Sequence, residues 1–217
     1  MVRIICILIG YIMGLFQTGY LYGKLNHIDI REHGSGNAGT TNITRTLGKK
    51  AGIITYLGDT FKSVVSAVII HLVFGKGNSD IEFLLVLYGG LGVVLGHNFP
   101  FYLKFKGGKG IAATSGVALS LLPYNWVFPV SGFLTFTLGS LITKYVSMGS
   151  LIFVTSFLIE IIILGQCGYL GVFANILYEA YAVVFAITLL AYIRHGANIK
   201  RLLNGTERKI GQKKTEL

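Results

Sequence analysis

Three short polar segments hold most of the residues in this chain whose types and spacing could do chemistry. The first is Gly34-Ser35-Gly36-Asn37-Ala38-Gly39, followed by Thr40, Thr41, Asn42 and Arg45. Glycines let successive backbone N–H groups turn toward one point, and such a nest, or the N-terminus of the helix after it, favours a phosphate. Thr40, Thr41 and Asn42 add further donors. Arg45, about two helical turns further on, adds a planar fork that matches two oxygens of an oxyanion. The run also spells G-x-G-x-x-G, with Asp59 at the distance of a ribose-binding acid. No strand precedes it and Asp59 falls in an apolar helix, so a dinucleotide fold is excluded.

The second segment joins Gly96-His97-Asn98-Phe99-Pro100 to Lys104-Phe105-Lys106-Gly107-Gly108-Lys109-Gly110. A Walker A loop needs Ser or Thr after the lysine, and Gly110 stands there. What remains is a glycine-flanked lysine at a helix start, where dipole, exposed N–H groups and ammonium all favour an anion. His97 is either a general base or a helix-end histidine bonded to a carbonyl. In the third segment, a helix from His195 to Leu203 sets His195 and Asn198 on one face with Arg201 beyond, and Gly205 ends it. Glu207, between Arg201 and Lys209, reads as a charge partner that holds this tail against the other loops. Lys213 and Lys214 read as a basic tail drawn to anionic lipid. Asp59 and Lys62, three residues apart inside an apolar helix, read as an ion pair that is either functional or lines a polar cavity.

Lipid is the medium that must position these segments. Of 217 residues, 53% are hydrophobic and 13% charged, where a soluble domain has about 25% charged. Mean hydropathy is +0.65. A hydrocarbon core of about 30 Å takes roughly 20 apolar residues per helix, and the chain offers seven stretches, near 4–22, 51–74, 81–99, 111–126, 127–143, 147–165 and 173–193. Pro123 and Pro129 interrupt the middle, so five spans plus re-entrant segments are the alternative. Arg3 before an apolar run resembles a signal peptide, but no small-residue cleavage site follows, and the run is read as the first span.

Most of the 19 basic residues fall in the three polar segments, 24–50, 96–110 and 194–209. The positive-inside rule therefore puts these in the cytoplasm, with the N-terminus outside and the C-terminus cytoplasmic. The net charge of +10 is topology and anion handling, and no nucleic-acid partner is expected. Residues 1–217 read as one polytopic membrane domain. Glu160 and Glu179 are expected at interfacial helix ends without chemistry. Cys6 and Cys167 lie in apolar surroundings and are expected as buried thiols, with no metal site and no cofactor.

Taken together, the three segments resemble the bacterial PlsY family of integral-membrane acyl-phosphate:glycerol-3-phosphate acyltransferases. The match runs through Gly34 to Asn42 with Arg45, through Gly96 to Pro100 with Lys104 and Gly107-Gly108-Lys109-Gly110, and through His195, Asn198, Arg201, Gly205, Glu207 and Lys209. Ser63 departs from it, following Lys62 where the family pattern has glycine. The resemblance implies an all-α integral membrane enzyme of phospholipid biosynthesis in the bacterial inner membrane. Its reaction would move a fatty acyl group from acyl phosphate to the 1-hydroxyl of glycerol 3-phosphate, giving lysophosphatidic acid and phosphate. Ser35, Arg45, Lys104, His195 and Asn198 would bind phosphate around the reacting centre. Gly107 to Gly110 would hold the acyl-phosphate end, with Ser147 in the same pocket.

His97, His195 and Lys104 are thus the catalytic candidates. The substrate-binding candidates are Ser35, Gly36, Asn37, Asn42, Arg45, Lys104, Gly107, Gly108, Lys109, Gly110, Ser147, His195, Asn198, Arg201, Glu207 and Lys209. The expected partners are small-molecule substrates and membrane lipid, the expected state a monomer. An organic-phosphate transporter and an acyl-CoA-dependent acyltransferase are the rival readings.

Overall fold

The computed structural model describes residues 1–212; Lys213 and Lys214 lie outside the described residues. The described chain is helical and contains no strand. Its α-helices are α1 (Val2–Gly14), α2 (Thr18–Leu25), α3 (Thr40–Leu47), α4 (Lys49–Phe74), α5 (Glu82–Asn98), α6 (Ile111–Ser120), α7 (Val127–Thr143), α8 (Val146–Gln166), α9 (Ala174–Arg194) and α10 (Gly196–Leu203).

Five segments are long and apolar enough to cross a membrane: Val2–Leu25, Lys49–Gly77, Ser79–Leu103, Val146–Gln166 and Ala174–Arg194. Helices α6 and α7, with 10 and 17 residues, are shorter. The expected span 111–126 therefore stops early, at Ser120. Pro123 disfavours helical geometry at the residue before it, and the chain turns there. Even so, α6 and its turn run the length of α5. Gly107 N–H donates to Asn98 O at 3.2 Å at one end of α5. At the other, the Tyr124 hydroxyl donates to Glu82 at 3.2 Å, and its ring meets Phe83 edge-on at 5.0 Å.

Helix α5 is the central pillar, because glycines let α1 press directly onto it. A Cβ on Gly10 would lie 2.0 Å from Gly89 O, one on Gly92 2.2 Å from Ile7 O, and one on Gly96 2.2 Å from Tyr11 O. Small residues allow such close approach between helices in lipid, where the hydrophobic effect does not drive them together. Leu84, Leu85, Phe128, Phe153 and Phe157 fill the core behind this seam, while Leu72, Phe133 and Ile142 face outward.

The two expected interfacial carboxylates separate. Glu179, near the start of α9, ties three helices by accepting from Arg3 Nη2 at 2.8 Å and from the Tyr88 hydroxyl at 2.6 Å. Glu160 sits more than a turn inside α8 and accepts from Ser131 of α7 at 2.7 Å. Cys6 is buried, but Cys167 is exposed where α8 ends. Sequence neighbours that are apolar do not bury a residue once the helix stops.

Candidate active site

The three polar segments meet at one cavity of about 760 Å³. Asn42 builds the first wall. Its Oδ1 accepts from Ser35 N–H at 2.9 Å, and its Nδ2 donates to the carbonyls of His33 at 2.9 Å and Ile30 at 3.2 Å. Gly39 N–H goes to the Asn37 side chain at 2.9 Å and Gly36 N–H to His33 O at 3.0 Å. The loop thus spends much of its N–H set on itself, unlike the open nest expected from its glycines. It presents Ser35, Asn37, Thr40 and Thr41 to the cavity instead, with Arg45 facing back from α3. Arg45 is exposed to the cavity and makes no hydrogen bond or ion pair among the described residues; partial desolvation, then Arg208, lowers its pKa against the opposing pull of Glu207.

Arg194, at the end of α9, shapes the second wall. Its guanidinium donates to Gly107 O at 2.9 Å and to Gly108 O at 3.1 Å, and lies 5.4 Å from the Phe99 ring centre. The amides of Gly107 and Gly108 are themselves bonded to Asn98 O and His97 O. These two glycines therefore do not aim N–H groups at a ligand, contrary to expectation. Their role is steric: a Cβ on Gly108 would lie 2.0 Å from His97 Nε2. Gly108→Ala should therefore overpack this joint, destabilising the protein by about 1–3 kcal/mol, measurable as a lower unfolding midpoint. Lys109 and Gly110 do line the cavity, as do Ile111 and Ala112 at the start of α6.

The third wall is organised by Glu207. Its carboxylate accepts from Ser147 at 2.8 Å, Asn198 at 2.6 Å and Arg201 at 2.7 Å. Burial alone would raise its pKa, but these donors hold it below the usual carboxylate range. The expected Arg201 partnership is present. Lys209 is not part of it: the residue is exposed, and its backbone bonds to Gln212. Lys109 Nζ donates to Asn198 Oδ1.

Lys109 is mostly buried, and desolvation brings its pKa down to about 8. Above that pH the ammonium is lost, so anion affinity should weaken as pH rises through about 8. Lys109→Arg should abolish this dependence, since arginine stays charged; KM for a phosphate-bearing substrate measured between pH 7 and 9 checks both.

Two of the three catalytic candidates, His97 and His195, border the main cavity, and Lys104 does not. His195 lines the cavity with its pKa lowered to about 4, first by burial and then by Lys109. Its Nδ1–H donates to Ala191 O at 2.8 Å, which leaves Nε2 as an acceptor. His97 also borders the cavity, but its Nδ1 accepts from Lys62 at 2.8 Å and its Nε2 abuts Gly108. The expected Asp59–Lys62 pair is present at 3.0 Å, and Asp59 lies 3.7 Å from His97. A carboxylate does therefore stand near one histidine, a proximity no local spacing announced. Lys104 falls elsewhere, with Gly36, Asp29 and Arg31 at a second cavity of about 400 Å³, because the turn at Phe101–Leu103 carries it away.

Of the remaining candidates, Ser147 and Asn198 line the main cavity. So do Arg194, Arg208, Tyr56, Thr60 and Ser115, none of which the sequence singled out as site residues. Arg194 carried one signal, a cation at the end of an apolar helix immediately before His195. On its far side the cavity is apolar, reaching Leu119, Phe136 and Phe153 between α6, α7 and α8.

The fold and site are thus those of a membrane protein in which a cationic mouth joins an apolar groove within a bundle of membrane-length helices. The family is settled by comparison: the sequence model of the glycerol-3-phosphate acyltransferase family matches residues 4–205, and the chain belongs to that family. Glycerol-3-phosphate acyltransferases of Alkaliphilus metalliredigens and Clostridioides difficile are each 41% identical, over 98% and 97% of both chains respectively. The crystal structure of PlsY (YgiH), an integral membrane glycerol 3-phosphate acyltransferase in its glycerol 3-phosphate form, superposes with a TM-score of 0.79 at 33% identity, covering 96% of each chain. Its lysophosphatidic acid form gives 0.77 at the same identity. The protein is therefore an acyltransferase of the PlsY family, a multi-pass membrane enzyme acting on glycerol 3-phosphate in phospholipid biosynthesis.

Proposed function

We propose that this chain transfers a fatty acyl group from acyl phosphate to the 1-hydroxyl of glycerol 3-phosphate, releasing lysophosphatidic acid and inorganic phosphate. One observation carries the reading: a cavity whose mouth gathers Arg45, Lys109, Arg201 and Arg208 continues into an apolar groove. Two phosphate-bearing substrates need the first, and an acyl tail needs the second.

The hydroxyl oxygen attacks the carbonyl carbon, an ester C–O bond forms, and the carbonyl-to-phosphate C–O bond breaks with its electron pair leaving on phosphate. Acyl phosphate is already activated, so holding both reactants in line and stabilising the departing anion suffices. The hydroxyl proton goes to a phosphate oxygen of the substrate. His195, with its pKa near 4, is a weak base at neutral pH, and the nitrogens of His97 face Lys62 and Gly108. His195→Gln with retained glycerol 3-phosphate binding tests this: turnover lost selectively would assign the proton to the histidine instead.

The three polar segments share one cavity, so even numbers of crossings must separate them. Because α6 and its turn pass from the Asn98 end of α5 to the Glu82 end, we count seven crossings. The N-terminus then lies outside, and the site faces the cytoplasm at the bacterial inner membrane, with the monomer as the working unit. A transporter would place its site near the midplane between related halves, which this cavity mouth does not match. Purified protein given glycerol 3-phosphate with either palmitoyl phosphate or palmitoyl-CoA should form lysophosphatidic acid from the first donor. Product from neither would sink the reading.

A further inference from the structure

Lys104 stands away from the main cavity, at the second one of about 400 Å³, whose wall also holds Tyr20, Asp29, Arg31, Tyr102 and Lys106. The two cavities share one loop: Gly36 lines the second, while Ser35 and Asn37 line the first. Leu103, at the second cavity, closes the membrane-length segment Ser79–Leu103, and Tyr20 lies in the last turns of Val2–Leu25. The Tyr102 hydroxyl donates to Leu15 O at 2.7 Å and fixes the turn there. The second cavity therefore sits where hydrocarbon gives way to headgroups, the depth at which tyrosines collect.

Its charge is unbalanced. Arg31 donates to Asp29 through Nε at 3.0 Å and Nη2 at 2.7 Å, and Lys24 approaches the same carboxylate at 3.9 Å. Asp29 is thus occupied, and Glu32 is the other carboxylate on the wall. Against these two acids stand Arg31, Lys24, Lys104 and Lys106. The ammonium groups of Lys104 and Lys106 are exposed, with no hydrogen bond or ion pair among the described residues. The turn that carries them is strained: Lys104 and Phe105 are consecutive non-glycine residues at φ 55° and 60°, in the left-handed region that such residues seldom enter.

The surroundings are apolar. Phe101 and Phe105 on the turn and Leu21 and Leu25 on α2 are exposed, and the two leucines share a helix face at i, i+4 spacing. Unpaired ammonium groups in a tyrosine-sided hollow, with exposed apolar side chains beside it, suit an anion that carries its own hydrocarbon. A free phosphate would use the charge and leave the apolar rim idle.

We propose that the second cavity binds the phosphate headgroup of an anionic phospholipid, with Lys104 and Lys106 on the phosphate and the acyl chains against α2 and the Phe101–Phe105 turn. The site does not depend on the identity of the acyl donor.

The test follows thermal unfolding of the full-length protein in a neutral detergent as phosphatidylglycerol is added, with saturating glycerol 3-phosphate present to fill the main cavity. The wild-type midpoint should rise by about 5 °C or more at saturating lipid, and phosphatidylcholine should not reproduce the rise. Lys104→Gln with Lys106→Gln should need about 30-fold more phosphatidylglycerol for half the shift, at roughly fivefold for each surface lysine. Lys49→Gln with Lys50→Gln removes the same charge from exposed positions outside both cavities and should respond like wild type. If the first double variant does not fold, Lys106→Gln alone carries the test at about fivefold. A wild-type midpoint indifferent to phosphatidylglycerol, a response untouched by the Lys104 and Lys106 substitutions, or one weakened equally by those at Lys49 and Lys50 would overturn the site. Inorganic phosphate giving the same shift, with the same dependence on Lys104 and Lys106, would overturn the lipid as its occupant.

Discussion

Lys62→Met should leave a protein that barely folds. The Lys62 ammonium, 4% exposed in α4, donates to Phe16 O at 2.8 Å, Asp59 Oδ1 at 3.0 Å and His97 Nδ1 at 2.8 Å. It thereby ties α4 to the break between α1 and α2 and to the end of α5. Removing it strands the Asp59 carboxylate inside a membrane helix, a loss of about 3–5 kcal/mol for one member of a buried pair. Against a total of about 5–15 kcal/mol that is severe. The midpoint of unfolding in detergent should fall sharply, or protein should fail to accumulate. Asp59→Asn together with Lys62→Met removes both charges and should recover much of the loss. A double variant no more stable than the single one would show that the ion pair is not the reason.

Arg45→Ala should do the reverse, removing activity and sparing the fold. The guanidinium lines the cavity without a hydrogen-bonding partner among the described residues, and desolvation and Arg208 lower its pKa. An unpaired cation in a cavity that also holds Arg201 and Arg208 is explained by an anion that arrives later. Its loss should reduce kcat/KM for glycerol 3-phosphate about 100- to 1,000-fold, the range for deleting one preorganised donor to developing negative charge. The unfolding midpoint should stay level or rise. Arg45→Lys should recover only part of the activity, because a point charge cannot reproduce a two-pronged contact. Activity and stability falling together would make Arg45 structural.

Much of this architecture is legible in the sequence, and for physical reasons. Each of the seven apolar stretches holds helix, because lipid demands that apolar backbone be internally hydrogen-bonded, although 4–22 is divided between α1 and α2 and 111–126 stops at Ser120. Arg45, Lys109, Asn198 and Glu207 line one cavity, the convergence that the charge of their three polar segments suggests. The reading failed where side-chain partners and tight turns, some within the same segment, redirect the loop backbone. The glycines of the first loop suggest free N–H groups, yet the Asn42 side chain claims Ser35 N–H. Those at 107 and 108 suggest a phosphate cradle, yet they make room for His97. Lys104 carries the right charge in the right segment, but a short turn points it toward a different cavity. No local pattern announces that Arg194 will hold the Gly107–Gly108 carbonyls, or that Asp59 will stand beside His97.

The central claim is that the cationic mouth receives a departing phosphate while the apolar groove holds the acyl chain. Parallel assay of inorganic phosphate and lysophosphatidic acid from palmitoyl phosphate tests it most directly. The account predicts one phosphate released for each lysophosphatidic acid formed, with neither appearing unless glycerol 3-phosphate is present. Phosphate released without the acceptor, or lysophosphatidic acid formed only when palmitoyl-CoA replaces palmitoyl phosphate, would contradict it.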